Sequence, residues 1–188
     1  MEQRHVKDMM TDELFLQLTE YCNRSDNEPD NLRRAEALGL GGRFVRVAPG
    51  AIVRSPLDQI GSNVFIGLYC YISGNVTIGD NSFIGPHCSL PAGNHKFDPA
   101  TGWFSARTEG DYDNSIVIGE GCWVASNVTI TAGVKIGKAN LICAGSVVTK
   151  STEDYAIMAG VPARQVGRID PVTGEYIWFS KNKSLMLG

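Results

Sequence analysis

The sequence predicts an all-β solenoid, a parallel β-helix of hexapeptide repeats closed at its N-terminal end by helices. Three observations carry that prediction. Aliphatic residues recur every six positions, at Ile60, Ile66, Ile72, Ile78, Ile84 and Leu90, and again at Ile118, Val124, Ile130, Ile136, Ile142 and Val148. Glycine follows directly at Gly61, Gly67, Gly79 and Gly85. The fifth position of the repeat is small: Val64, Cys70, Val76, Ser82 and Cys88, then Val128, Val134 and Ser146. A helix requires apolar spacings of three and four, and a half-buried strand requires strict alternation, so a period of six suits neither. It suits a coil of three short strands. Each hexad supplies one flat side with an inward aliphatic residue, a tight corner carrying glycine, and a small inward residue where the prism narrows. Successive coils then stack about 4.8 Å apart and pair every backbone group except at the two ends.

Taken in order, residues 1–46 form an N-terminal helical cap region. Thr11 or Asp12 can cap a helix bearing Leu14, Phe15, Leu18 and Tyr21, and Asp30 can cap NLRRAEAL, which stops at Gly39, with the polar linker NRSDNEPD between them. Both helices are expected to cover the open first coil, shielding its unpaired backbone and apolar cross-section. The solenoid domain spans residues 47–168, beginning with a weaker pair, Val47 and Val53, the latter one residue out of phase. Six times three is eighteen, which puts Cys70 directly in line with Cys88, and both read as small apolar fillers at a corner. The rhythm breaks once. The hexad from Leu90 ends at His95, the next should start at 96, and it resumes at 118, leaving an insertion of 22 residues, 96–117. Loops of that length are functional or disordered. This one carries Phe97, Trp103, Phe104 and Tyr112, side chains expected to pack on another surface. Residues 169–188 form a C-terminal tail with an alternating run, EYIWF, that packs on the coil or on a partner.

Composition excludes several classes of function. A chain of 188 residues, 43% hydrophobic and 20% charged, has the make-up of one soluble domain. A net charge of -3 with a pI near 5.6 leaves no electrostatic footprint for nucleic acid. The N-terminal MEQRHVKDMMTDELF has neither a signal-peptide core nor a stretch able to span a bilayer, so a cytoplasmic protein without membrane insertion is expected. Five cysteines, odd in number and without CxxC spacing, argue against a disulfide framework and against zinc.

The hexads, the NH segment followed by an excursion, IGEGCWVASNVTI, and AGSVVTK followed by AGVPAR together resemble the hexapeptide-repeat acyltransferases. The similarity is greatest to the maltose and galactoside O-acetyltransferase branch and covers roughly residues 60 to 168. The resemblance implies a left-handed coil, an exception to the right-handed crossover rule. It also implies acetyl-CoA as co-substrate, no metal, a sugar or saccharide acceptor, and a homotrimer with active sites between neighbouring subunits. His95 is then the expected general base. An alcohol is a poor nucleophile until its proton is being removed, and an imidazole can take that proton at neutral pH and deliver it to the departing thiolate. Glu109, from within the loop, is the expected orienting partner, with Asp98 a weaker candidate. Carried across by motif, Trp123 flanks the acetyl end, and Ser126 offers a backbone N–H to the developing oxyanion. Ala144 bonds the pantetheine, while Thr149, Lys150 and Arg164 meet the nucleotide and its phosphates.

Two departures bear on the acceptor. The branch carries WIG where this chain has Trp123, Val124 and Ala125, and the stretch FIGLYCYISGN lacks the acidic residue with which branch members hold the sugar. A sugar of a surface polysaccharide, or its activated precursor, is therefore as good an expectation as maltose or a galactoside. Three alternatives stand beside this reading. The coil could be a catalytically silent trimeric scaffold, or the enzyme could N-acetylate an amino sugar. A metal-dependent carbonic anhydrase on the same coil would need three histidine ligands, and only His87 and His95 lie in the repeats.

Overall fold

The structure is a computed structural model and describes residues 10–105 and 113–179. The inward aliphatic residues of the hexads stack into three parallel ladders, one on each face of a triangular prism. On the first face Val47, Ile66, Ile84, Val124, Ile142 and Met158 pair in succession. On the second, Val53, Ile72 and Leu90 pair, and the ladder continues from Ser89 through Thr129 to Val147. On the third, Ile78, Ile118 and Ile136 pair, and Ile60 is bridged to Ile78. Three sheets of eight, five and three strands result. Apart from Val53 and Val147, which are half-buried, and Met158, the ladder aliphatics are almost wholly buried. Burying one such side chain contributes about 1.5–3 kcal/mol, so the stacked ladders are the core, a rod along the axis.

Ile66 pairs with Ile84 and Ile72 with Leu90, each 18 positions on. The first coil differs. Val47 pairs with Ile66 and Val53 with Ile72, 19 positions on in both cases. Val47 is thus out of phase as well as Val53, because the extra residue lies after both of them, near the 3₁₀ turn Leu57–Gln59.

Two of the three corners demand left-handed backbone. Phe44, Asn63, Asn81, Gly121, Ala139 and Tyr155 form one such column, and Gly50, Tyr69, His87, Asn127 and Gly145 the other, with φ from 50 to 72°. Non-glycine residues pay about 1–2 kcal/mol each for this conformation; the Asn63 amide offsets part of it by donating to Asn81 Oδ1 at 2.9 Å. Coils also approach closely: a Cβ on Gly85 would lie 2.8 Å from the carbonyl carbon of Ala125. At the small fifth position the cysteines do more than fill space. Cys70 Sγ donates to Gly85 O and Cys88 Sγ to Ala125 O, both at 3.0 Å, while Cys122 Sγ reaches Gly137 O at 3.1 Å. Ser82 makes the same bond to Gly119 O at 3.0 Å. Burial pushes the Cys122 thiol up to about 11. The hydrogen bond with the Cys70 thiol, and then burial, push Cys88 up as well. Cys88 and Cys122 are protonated structural thiols.

The ends are closed unequally. Helix α1 (Asp12–Arg24) is capped by Thr11 Oγ1, which accepts from Leu14 N at 3.2 Å. Helix α2 (Glu28–Ala37) starts earlier than expected: Asn27, not Asp30, is its cap, and Pro29 occupies the first turn, where its missing N–H costs nothing. Ala35 and Leu40 enter the core, and Arg34 Nε donates to Val47 O at 2.7 Å. So α2 and the turn after it cover the first coil. Helix α1 buries no residue and leaves Leu14, Phe15, Leu16, Leu18 and Tyr21 exposed, so it does not share that task. At the far end Ala156–Gly160 adds a last parallel strand to the first face; Ala163–Ile169 and Tyr176–Trp178 then turn back antiparallel. The EYIWF run thereby supplies the edge of the first-face sheet.

Candidate active site

The excursion leaves after Ser89–Ala92, and the coil resumes at Ile116–Ile118, which pairs in register with Val76–Ile78. Inside it, Phe97–Asp98 and Trp103–Phe104 form an antiparallel hairpin. Asp98 builds its turn: Oδ1 accepts from Ala100 N at 2.9 Å and Oδ2 from Thr101 Oγ1 at 3.1 Å. The Asp98 carboxylate is therefore committed to the turn and does not orient His95. Glu109 and Tyr112 lie outside the described residues. The return end is fastened to the coil by Asp113, which accepts from the Ser115 hydroxyl at 2.5 Å and pairs with Lys135 at 3.2 Å. Those bonds, the Ser115 hydroxyl and N–H foremost and Lys135 after them, hold the Asp113 carboxyl down at about 2. Asn94 Nδ2 donates to Asn114 Oδ1 at 3.1 Å and draws the two ends together.

His95 stands at the root of the hairpin with an exposed ring. Its Nδ1 lies 2.8 Å from the carbonyl oxygen of Ser105. A carbonyl can only accept, so Nδ1 carries the proton of the neutral ring, and Nε2 keeps a lone pair with no hydrogen-bond partner among the described residues. Ser105 is itself held by its N–H, which donates to Lys96 O at 2.8 Å. The orienting group is thus a main-chain atom, for which a residue pattern carries no signal.

Trp123 projects from the first face, in register between Phe83 and Leu141, with about half its surface exposed. Ser126 and Ala144 lie one above the other at the corner between first and second faces. Neither N–H has a partner among the described residues, whereas Pro86, in the same column one coil earlier, has no N–H to give. Thr149 and Lys150 sit at the corner between second and third faces, the corner from which His95 leaves. Lys150 and Arg164 together line a cavity of about 260 Å³, and among the described residues neither is in an ion pair. One chain therefore gathers two sets of groups, Trp123, Ser126 and Ala144 on one side and His95, Thr149 and Lys150 on the other, with Arg164 in the antiparallel strand beyond Met158 meeting Lys150 across the cavity. One face, roughly 20 Å of chain, separates their corners. His87 belongs to neither set; it is stacked on Tyr69 with ring centroids 5.5 Å apart.

The six-repeat bacterial transferase hexapeptide family matches residues 59–92 and 115–150, the blocks on either side of the excursion. Over 154 residues, 77% of this chain and 73% of the relative, the sequence is 34% identical to a galactoside O-acetyltransferase of Escherichia coli strain K12. The chain belongs to the hexapeptide-repeat acetyltransferases. Among solved structures, this hexapeptide-repeat acetyltransferase is similar to a maltose O-acetyltransferase from Clostridium difficile 630, with a TM-score of 0.61 and 26% identity over 85% of this chain and 90% of that one. It is also similar to a galactoside acetyltransferase in complex with coenzyme A, with a TM-score of 0.50 and 28% identity over 83% and 80% of the two chains. The acetyltransferase uses an acyl-CoA donor, and its solenoid is a left-handed parallel β-helix.

Proposed function

We propose that this acetyltransferase moves the acetyl group of acetyl-CoA to a hydroxyl of a sugar or saccharide, with His95 as general base. The observation that carries the reading is the His95 Nδ1 to Ser105 O hydrogen bond at 2.8 Å, which leaves Nε2 as an oriented proton acceptor at the mouth of the aromatic loop. Nε2 takes the acceptor's hydroxyl proton as that oxygen bonds to the acetyl carbon, and returns it to the sulfur as the C–S bond breaks. The unpaired Ser126 N–H stabilises the oxyanion, and the Ala144 N–H donates to a carbonyl oxygen of the pantetheine. Thr149, Lys150 and Arg164 hold the nucleotide and its phosphates, and Trp123 walls the acetyl end.

The separation of the two sets of groups supports the homotrimer that the family resemblance implies. A heterologous contact that closes a ring brings the first-to-second corner of one copy against the second-to-third corner of the next. That completes each site and gives the exposed Phe97, Trp103 and Phe104 a surface to cover.

The test is thiol release from acetyl-CoA over a panel of sugars and saccharides, with His95→Asn beside the wild type. Asparagine keeps a donor near the Nδ1 position and removes the base. The expected result is a fall in kcat of about 10²- to 10⁴-fold with unchanged coenzyme A affinity. A variant retaining most of its activity would refute the assignment.

A further inference from the structure

Trp123 is one rung of a longer outward column. Along the first face, in register, stand Arg46, Phe65, Phe83 and Trp123, and Phe44 flanks the first of them. Phe65 and Phe83 lie with ring centroids 6.5 Å apart. The Arg46 guanidinium is set among three rings, 5.1 Å from Phe44, 5.9 Å from Phe65 and 5.7 Å from Phe83. Its Nη2 donates to Asn63 Oδ1 at 3.1 Å. Its Nε is buried without a partner, and among the described residues no carboxylate pairs with it. Asp80, on the adjoining corner, is occupied by the Ser62 N–H at 2.7 Å.

Direction along the axis gives this column its meaning. The cationic residues Lys150 and Arg164 lie toward the C-terminal end of the coil, and Trp123 lies at the acetyl end, so the donor fills the space on that side of Trp123. The acceptor must then approach from the opposite side, over Phe83, Phe65 and Arg46. Resting on the acetyl-transfer reading above, we infer that this aromatic column is the acceptor platform and that it selects saccharides carrying a negative charge, a carboxylate or a phosphate. The Phe65 and Phe83 rings, tilted 41° to one another, offer apolar surface to the C–H faces of sugar rings. A guanidinium whose neighbours are aromatic and whose charge is uncompensated attracts an anion more strongly than one lying in water beside a carboxylate.

Methyl β-glucuronide and methyl β-glucoside differ only at C6, a carboxylate in the first and a CH2OH in the second, and serve as probes, transfer being compared at the ring hydroxyls that both share. Each is titrated into the coenzyme A complex of the full chain, and each is offered as acceptor with acetyl-CoA. The wild type should favour the glucuronide by about tenfold or more in Kd and in kcat/KM, the scale of one charge-assisted contact. R46Q should bring that ratio to about one, R46K should keep most of it, and F83A should weaken both probes alike. Raising the salt should shrink the ratio in the wild type, a readout that needs no folded variant. Equal handling of the two probes by the wild type overturns the inference, as does a preference that survives R46Q or one indifferent to salt. Acetyl transfer to hydroxyls without charge preference would refute the platform and leave the proposed reaction standing. Coenzyme A binding without transfer to any saccharide would refute both.

Discussion

The ring of His95, the proposed base, is held by an oxygen of the main chain. The break in the six-residue period made the histidine legible, because a rigid repeat has no other reason to stop there. The Ser105 contact was not legible: Ser105 contributes a carbonyl that any residue could supply, and only the closure of the hairpin brings it to 2.8 Å. The cysteines show the same limit. Their small size could be read from the repeat, but the thiol bonds to Gly85, Ala125 and Gly137 depend on how far one coil sits above the next. Cys122 makes a pH prediction. Folding raises its pKa from 9.0 to about 11, so the folded state holds this proton more tightly. The contribution to stability is complete below pH 9.0 and is lost as pH rises through about 11. Thermal melts from pH 8 to 11 should show a falling Tm in the wild type and a shallower fall in Cys122→Ser. Serine already serves the same column at Ser82 and accepts the geometry, so the substitution should cost only about 1 kcal/mol near neutrality.

The two helices and the excursion show how elements with similar sequence signals acquire different duties. Helix α1 was readable from its cap and apolar spacing and α2 from its stop, its start lying at Asn27 and not at Asp30; yet only α2 reaches the core, since Ala35 and the post-helical Leu40 are the residues that meet the open coil. Leu40→Ala should therefore lower the unfolding free energy by about 2–5 kcal/mol in urea melts. Replacing the exposed Leu14, Phe15 and Leu18 of α1 by alanine should change it by less than about 1 kcal/mol when the chain is a monomer. The excursion is the opposite case, an element whose chemistry outweighs its stability. Replacing residues 97–104 by an equally long glycine and serine linker should leave the melting transition close to that of the wild type. It should also lower kcat by about 10²-fold or more, because Ser105 would no longer be held against the imidazole. Circular dichroism melts and thiol-release assays on the same preparation separate the two effects.

At the scale of the molecule, the fold was the most legible feature, because twelve repetitions of one spacing leave a single way to satisfy them. Handedness was not in the spacing and rests on the family. The proposed division of each site between neighbouring copies gives a test by complementation. His95→Asn and an Ala144→Arg variant, each inactive alone, should regain activity when unfolded and refolded together, since random assembly completes about a quarter of the sites. Separate refolding followed by mixing under conditions that forbid subunit exchange should not. The inserted 22 residues also bear on how such an enzyme changes. They leave the coil and return to it in one column, with Ile118 seated on Ile78 as Ile84 is seated on Ile66. The rungs beyond cannot register how long the detour was, and doubling its length would cost only about 0.6 kcal/mol in chain closure. The solenoid is in this sense a chassis and the detour a cassette. That one segment can be exchanged for another while the rungs on either side of it and the stacked interior need no compensating change.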